Sequence, residues 1–208
     1  MYEAAGRGAT FNMMIPASAR RFLSVAVLVA LACQDQAPFH ATVISDPGPA
    51  PVLRLADSRG GTFDLGTEKG RVVFIYFGYT HCPDVCPTTL ADFARARRSL
   101  REKQRSAMRF VFVSVDPGRD TPTVTEKYVW QFDSTFVGLA PTASQLDSIR
   151  VAWGFVVEVD SMPGMKHDQY GVTHPAGIYM VGRDGRIRMV FYPAMKPDDL
   201  LADLKRVL

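Results

Sequence analysis

Cysteine is scarce in this 208-residue chain: there are three, alongside four histidines and two tryptophans. Only two of the three stand together, too few for an iron–sulfur cluster, which takes about four thiolates. An excess of either charge is also missing. Twenty-four lysines and arginines meet 21 aspartates and glutamates, a formal net charge of +3, and 47% of the residues are hydrophobic. That balance suggests neither nucleic-acid binding nor disorder and places the chain among ordinary globular proteins. No segment repeats. There is also no apolar run of the ~20 residues needed to cross a bilayer; the nearest is "FLSVAVLVALA", eleven residues from 22 to 32.

That short run, behind Arg20 and Arg21, matches the hydrophobic core of an export signal. Cys33 follows directly on Ala30, Leu31 and Ala32, where a bacterial lipoprotein signal places the cysteine that receives the lipid. Three outcomes stay open: lipidation at Cys33, ordinary cleavage at "ALA", or an uncleaved anchor. Each sends the rest of the chain outside the cytoplasm, to the periplasmic side of a bacterial membrane, and the first makes it a membrane-anchored lipoprotein. Met13 and Met14 are candidate true starts, because the residues before them fit no part of a signal. The expected organisation is a signal segment over 1–32, a polar, proline-bearing tether over 33–50 and a folded domain over 51–208.

From residue 51 strand-like and helix-like patterns alternate, which predicts an α/β sheet. "VLRLADSRGGTFDL" reads as a hairpin around Arg59-Gly60-Gly61, and "RVVFIYFGY" as a central strand covered on both faces. An amphipathic helix is predicted from Pro87 to Arg105, with Leu90, Phe93, Ala94 and Leu100 on one side and a solvated set of arginines (95, 97, 98, 101, 105) on the other. "RFVFVSV" predicts a second buried strand, and Asp120 or Thr121 a cap for a helix entered through Pro122. A short strand, a helix, a hairpin turning at Arg183-Asp184-Gly185 and a final helix from Pro197 complete the chain. This order is thioredoxin-like: a central mixed β-sheet flanked by helices, with an N-terminal β-hairpin.

"YFGYTHCPDVCPTTL" carries the chemistry. Cys82 and Cys86 precede Pro83 and Pro87, so a constrained loop feeds a helix. Thiols at a helix entrance lie near the positive end of the dipole, which predicts a lowered pKa and reactive thiolates. Three readings apply. A structural disulfide closing so small a loop would restrain the unfolded chain very little. A redox pair would ordinarily have two intervening residues rather than three. A metal site suits the wider spacing, and two soft thiolates favour copper(I) or zinc.

A third ligand must come from His40, His81, His167 or His174. His40 falls in the tether, and His81 abuts Cys82 but is poorly placed to share a gap with both sulfurs. His174, in "YGVTHPAGIYMV", stands just before a buried strand whose leading loop lies beside the cysteine loop in a thioredoxin-like sheet. Two sulfurs and one nitrogen suit trigonal copper(I), whereas structural zinc takes a fourth ligand.

"FGYTHCPDVCPTTL", "FVSVDPGRDTP" and "VTHPAGIYMVGRDG" together resemble the Sco/SenC family, thioredoxin-like copper proteins that assist assembly of the dinuclear copper centre of cytochrome c oxidase. The resemblance covers roughly residues 50 to 208. It implies a copper ion held by Cys82, Cys86 and His174, a functional acid near the site at Asp116, and a copper-bearing oxidase subunit or another copper protein as partner. It also implies a metallochaperone, with a thiol-disulfide reductase that uses the Cys82 and Cys86 pair as the competing reading. One departure is that Thr173 stands where the family commonly has aspartate, and Pro175 follows the histidine, biasing it toward extended angles and allowing the cis bond that thioredoxins have at this loop. Met162, Met165 and His167 add soft donors in a nearby loop.

Overall fold

The seven residues of "VVFIYFG" are all buried because alternate side chains enter two different cores. A computed structural model describes residues 37–160 and 170–208. Its strands are β1 (Thr42–Val43), β2 (Arg54–Ala56), β3 (Thr62–Asp64), β4 (Val72–Gly78), β5 (Met108–Ser114), β6 (Val137–Leu139), β7 (Glu158–Asp160), β8 (Gly171–Thr173), β9 (Ile178–Val181) and β10 (Ile187–Phe191). The helices are α1 (Val85–Arg98), α2 (Glu102–Ala107), α3 (Pro122–Trp130), α4 (Ala143–Trp153) and α5 (Pro197–Val207).

Six strands form the mixed sheet in the order β1-β10-β9-β4-β5-β6. β4, β5 and β6 are parallel, and β9, β10 and β1 run antiparallel to their neighbours. On one face Phe74, Tyr76, Phe110 and Phe112 pack with Leu90 and Phe93 of α1 and Leu200 and Leu204 of α5. On the other, Val73, Ile75, Phe77, Val111 and Val113 pack with Leu146, Ile149 and Trp153 of α4 and with Leu55 and Phe63 of the β2–β3 hairpin. The expected mixed sheet, flanking helices and N-terminal hairpin are all present. Thr121, with its Oγ1 accepting the Val124 N–H, is the cap that starts α3 at Pro122.

The helix expected over 87–105 is two helices. α1 begins at Val85, and after Arg98 the Ser99 and Leu100 amides bond back to Ala96 and Arg97 in a tightened last turn. Arg101 is then extended, and α2 follows. Burying Leu100, 3% exposed, turns the chain inward and ends the first helix. The arginine face is also less solvated than expected, since Arg97 lies against Asp133 at 3.3 Å.

The tether is shorter than the expected 33–50. Residues 39–208 form one compact unit, and β1 adds an edge to the sheet through Thr42 opposite Val190 and Val43 opposite Met189. The backbone amides of His40 and Ala41 donate to the fully buried Asp203 carboxylate at 2.9 and 2.8 Å, and His40 Nδ1 lies 3.2 Å from its other oxygen. Asp203→Ala strands those two amides, each worth about 1–3 kcal/mol when left unsatisfied. A loss of about 2–4 kcal/mol is expected in urea denaturation of the full chain. A midpoint within error of wild type would show that the clasp contributes nothing.

Among the described residues no helix is long and apolar enough to cross a membrane. The apolar run 22–32, Cys33 and the Met162, Met165 and His167 loop lie outside the described residues.

Candidate metal centre

β4 delivers the chain to the cysteine loop at Gly78. A Cβ there would lie 2.7 Å from the Phe112 ring and 2.8 Å from Cys86 Sγ, so only glycine lets the helix approach the strand this closely. The helix begins before Pro87, which places Cys86 in its first turn. Asp84, the residue at the cap position, makes no side-chain cap bond. Instead the Cys86 N–H donates to Cys82 Sγ at 3.4 Å, so a sulfur takes one of the amides that a helix start leaves unpaired.

The loop is held from β5. Asp120, 3% exposed, accepts the Thr80 N–H at 3.0 Å and the Thr80 and Ser114 hydroxyls at 2.6 Å each. Read from sequence as a possible helix cap, it is instead the anchor of the segment two residues before Cys82. His81 is exposed beside Thr80 and Asp120, and His40 lies between Asp199 and Asp203, so neither reaches the thiols.

His174 arrives from β8. The Thr173 hydroxyl donates to Asp160 at 2.9 Å, and the peptide bonds of the described residues are all trans, the bond to Pro175 included. His174 Nδ1 lies 3.0 Å from the Pro175 carbonyl, to which it donates its proton, leaving the Nε2 lone pair 3.8 Å from Cys86 Sγ. This is the second-partner arrangement that orients a metal-binding imidazole. Burial holds the His174 pKa below its ordinary value of 6.5, which keeps the ring neutral and able to ligate.

Asp116 is not among the convergent donors. It is buried, takes the Arg119 Nε–H at 2.5 Å and accepts the Tyr170 hydroxyl at 2.7 Å. Arg119 also bonds the Tyr170 carbonyl at 3.0 Å and lies 3.5 Å above the Tyr170 ring. Asp116 therefore ties the turn after β5 to the residue that leads into β8 and His174.

The sulfurs of Cys82 and Cys86 and one His174 nitrogen lie within 4.8 Å of one another, the one such group of three or more ligating side chains among the described residues. Donors bound to one first-row ion at ordinary bond lengths are about 4 Å apart. The spacing therefore admits one ion with little movement.

The expected lowering of both thiol pKa values fails at Cys86. Burial pushes that thiol from an ordinary 9.0 up to about 12, against the hydrogen bond from Tyr76, because desolvation outweighs the helix end. A folded-state pKa above the unfolded one favours folding below pH 9, and the advantage disappears as the pH climbs from 9 to 12. His174 acts oppositely: its contribution is present above pH 6.5 and declines as the pH falls below that value. Urea midpoints of the reduced, metal-free protein are expected to decline on both sides of this window. Cys86→Ser should flatten the decline between pH 9 and 10, and an unchanged profile would contradict the assignment.

Sequence reasoning missed Asp120, Tyr76 and Gly78. The only sequence signal was their place inside the quoted motifs, with Gly78 ending a buried strand beside the cysteines.

A thioredoxin-like sheet with two thiols and an imidazole converging at the end of its central strand defines a protein built to hold a soft metal ion. The chain belongs to the SCO1/SenC family, whose model matches residues 51–208. A Stutzerimonas stutzeri protein named for copper binding is 33% identical over 160 residues, 76% of each chain. Apo Sco1 from Thermus thermophilus is 31% identical with a TM-score of 0.74, over 84% of this chain and 100% of its own. Copper-bound ScoI from Bradyrhizobium japonicum is 34% identical with a TM-score of 0.65, over 77% and 100%.

Proposed function

We propose that this protein carries one copper ion on Cys82, Cys86 and His174 and delivers it, outside the cytoplasm, to the dinuclear copper site of cytochrome c oxidase or to another copper protein. The observation that carries this reading is the convergence of two sulfurs and an unprotonated imidazole nitrogen within 4.8 Å. Two soft donors and one imidazole match copper(I), and ScoI from Bradyrhizobium japonicum, a copper-bound relative, has the same fold. Cys86 is fully buried and Cys82 half-buried, so an incoming ligand reaches the ion past Cys82. Delivery is then ligand exchange, with a thiolate or imidazole of the recipient replacing Cys82 first. Asp116 acts at one remove, by holding the strand that presents His174. Lipid at Cys33, or the apolar run before it, keeps the domain at the membrane.

The same difference in exposure favours one competing reading, a reductase. Cys82 would attack a partner's disulfide, forming a mixed disulfide and releasing one partner thiol. Cys86 would then attack Cys82 Sγ, closing the Cys82–Cys86 disulfide and releasing the second, so that two electrons pass to the partner.

One experiment separates them. The full chain loaded with one equivalent of copper(I) is mixed with the copper-free, reduced copper domain of the oxidase, and the metal-free reduced chain is mixed with the same domain oxidised. Copper moving to the first recipient supports delivery. No copper transfer, together with rapid reduction of the second, would replace delivery with reduction.

A further inference from the structure

We infer that Tyr76 is a positioning residue of this metal centre, its hydroxyl donating to Cys86 Sγ and thereby setting how strongly that sulfur holds the ion. The inference rests on the copper reading above. Tyr76 belongs to β4, two residues before Gly78, and is 0% exposed. A buried phenol ordinarily finds an acceptor for its single proton, and this one points to Cys86 Sγ at an O···S separation of 3.5 Å. Its ring also meets the His174 ring edge-on, with centroids 6.3 Å apart, and the Phe112 ring at 5.8 Å. One side chain outside the ligand set thus touches two of the three ligands from beneath.

The two sulfurs consequently differ. Cys82 Sγ receives a backbone amide from Cys86, which any residue at that position would supply. Cys86 Sγ receives a hydroxyl that only tyrosine supplies at this site, since phenylalanine would fill the same space without the proton. A donor aimed at a buried sulfur stabilises the negative charge that the sulfur carries as a metal ligand; the Tyr79 backbone amide adds to this, and any residue at that position would supply it. Cys86 is therefore the ligand the protein retains, and the more exposed Cys82 the one it releases.

Tyr76→Phe in the full chain tests this, with Tyr128→Phe as the control. Tyr128 is a nearby tyrosine whose buried hydroxyl has no hydrogen-bond partner among the described residues. Three quantities are read: copper(I) affinity against a chromophoric chelator, the thiolate-to-copper(II) absorption band, and the midpoint potential of the metal-free Cys82–Cys86 disulfide. Tyr76→Phe is expected to weaken copper(I) binding about 10-fold, as loss of a partner hydrogen-bonded to a ligand commonly does. It should also move the band to longer wavelength and make the disulfide harder to reduce. Tyr128→Phe should leave all three in place. A band and a potential matching wild type in Tyr76→Phe, or equal shifts in the control, would overturn the inference. Wild type that takes up no copper would instead defeat the copper reading, and the metal-free potential would then decide the role of Tyr76 alone.

Discussion

His174→Ala is expected to reduce copper(I) affinity by at least about 100-fold, beyond the usual effect of losing a group behind a ligand, while leaving the thiols able to form and break a disulfide. The imidazole is already prepared for binding. Its Nδ1 proton is committed to the Pro175 carbonyl at 3.0 Å, burial disfavours a second proton, and Nε2 faces Cys86 Sγ at 3.8 Å. Alanine removes that donor and leaves two sulfurs, one half-buried and open to solvent or competing ligands. Reduction of a disulfide, by contrast, needs no nitrogen. The check is a competitive copper titration run beside a disulfide-reduction assay on wild type and variant. Affinity within about three-fold of wild type would remove His174 from the site, since a direct ligand is worth more than its outer partners.

Gly78→Ala should damage stability and the site together. The added methyl would lie 2.7 and 3.0 Å from two Phe112 ring atoms and 2.8 Å from Cys86 Sγ. Phe112 is fully buried and cannot swing aside, so relief comes from moving Cys86 and the start of α1. Overpacking of this kind costs about 1–3 kcal/mol, and the displaced sulfur should cost at least about 10-fold in copper affinity. Gly138→Ala separates the two effects. There the new methyl would meet the Thr125–Glu126 backbone at 2.6–2.7 Å, which also destabilises the fold but touches no ligand. Equal affinity losses in the two variants, measured per folded molecule, would mean that Gly78 has no special relation to Cys86.

The sheet was legible because burial on two faces leaves a plain mark: "VVFIYFG" and "FVFVS" have no charged residue, and each became a central strand. The final helix and both hairpins were legible for similar local reasons, through Pro197 and the turn residues. The division of one predicted helix at Ser99 was not, because the arginine and leucine pattern continues across the break. The place of residues 39–50 in the compact unit was not legible either. Nothing near His40 and Ala41 announces that their amides are satisfied by Asp203, more than 160 positions further on.

Sequence alone determined the kind of chemistry: two soft thiols at a spacing of four and a histidine before a buried strand, with a resemblance that named the family. Those are matters of residue type and order, which a string of letters carries in full. Tertiary structure alone decided how the groups behave. It brought His174 Nε2 to Cys86 Sγ across 88 positions, set Asp120 under the loop as its anchor, and aimed the Tyr76 hydroxyl at one sulfur rather than both. It also reversed the expected ionisation of Cys86, because desolvation depends on what surrounds an atom in space and a helix end offers only a partial charge in return.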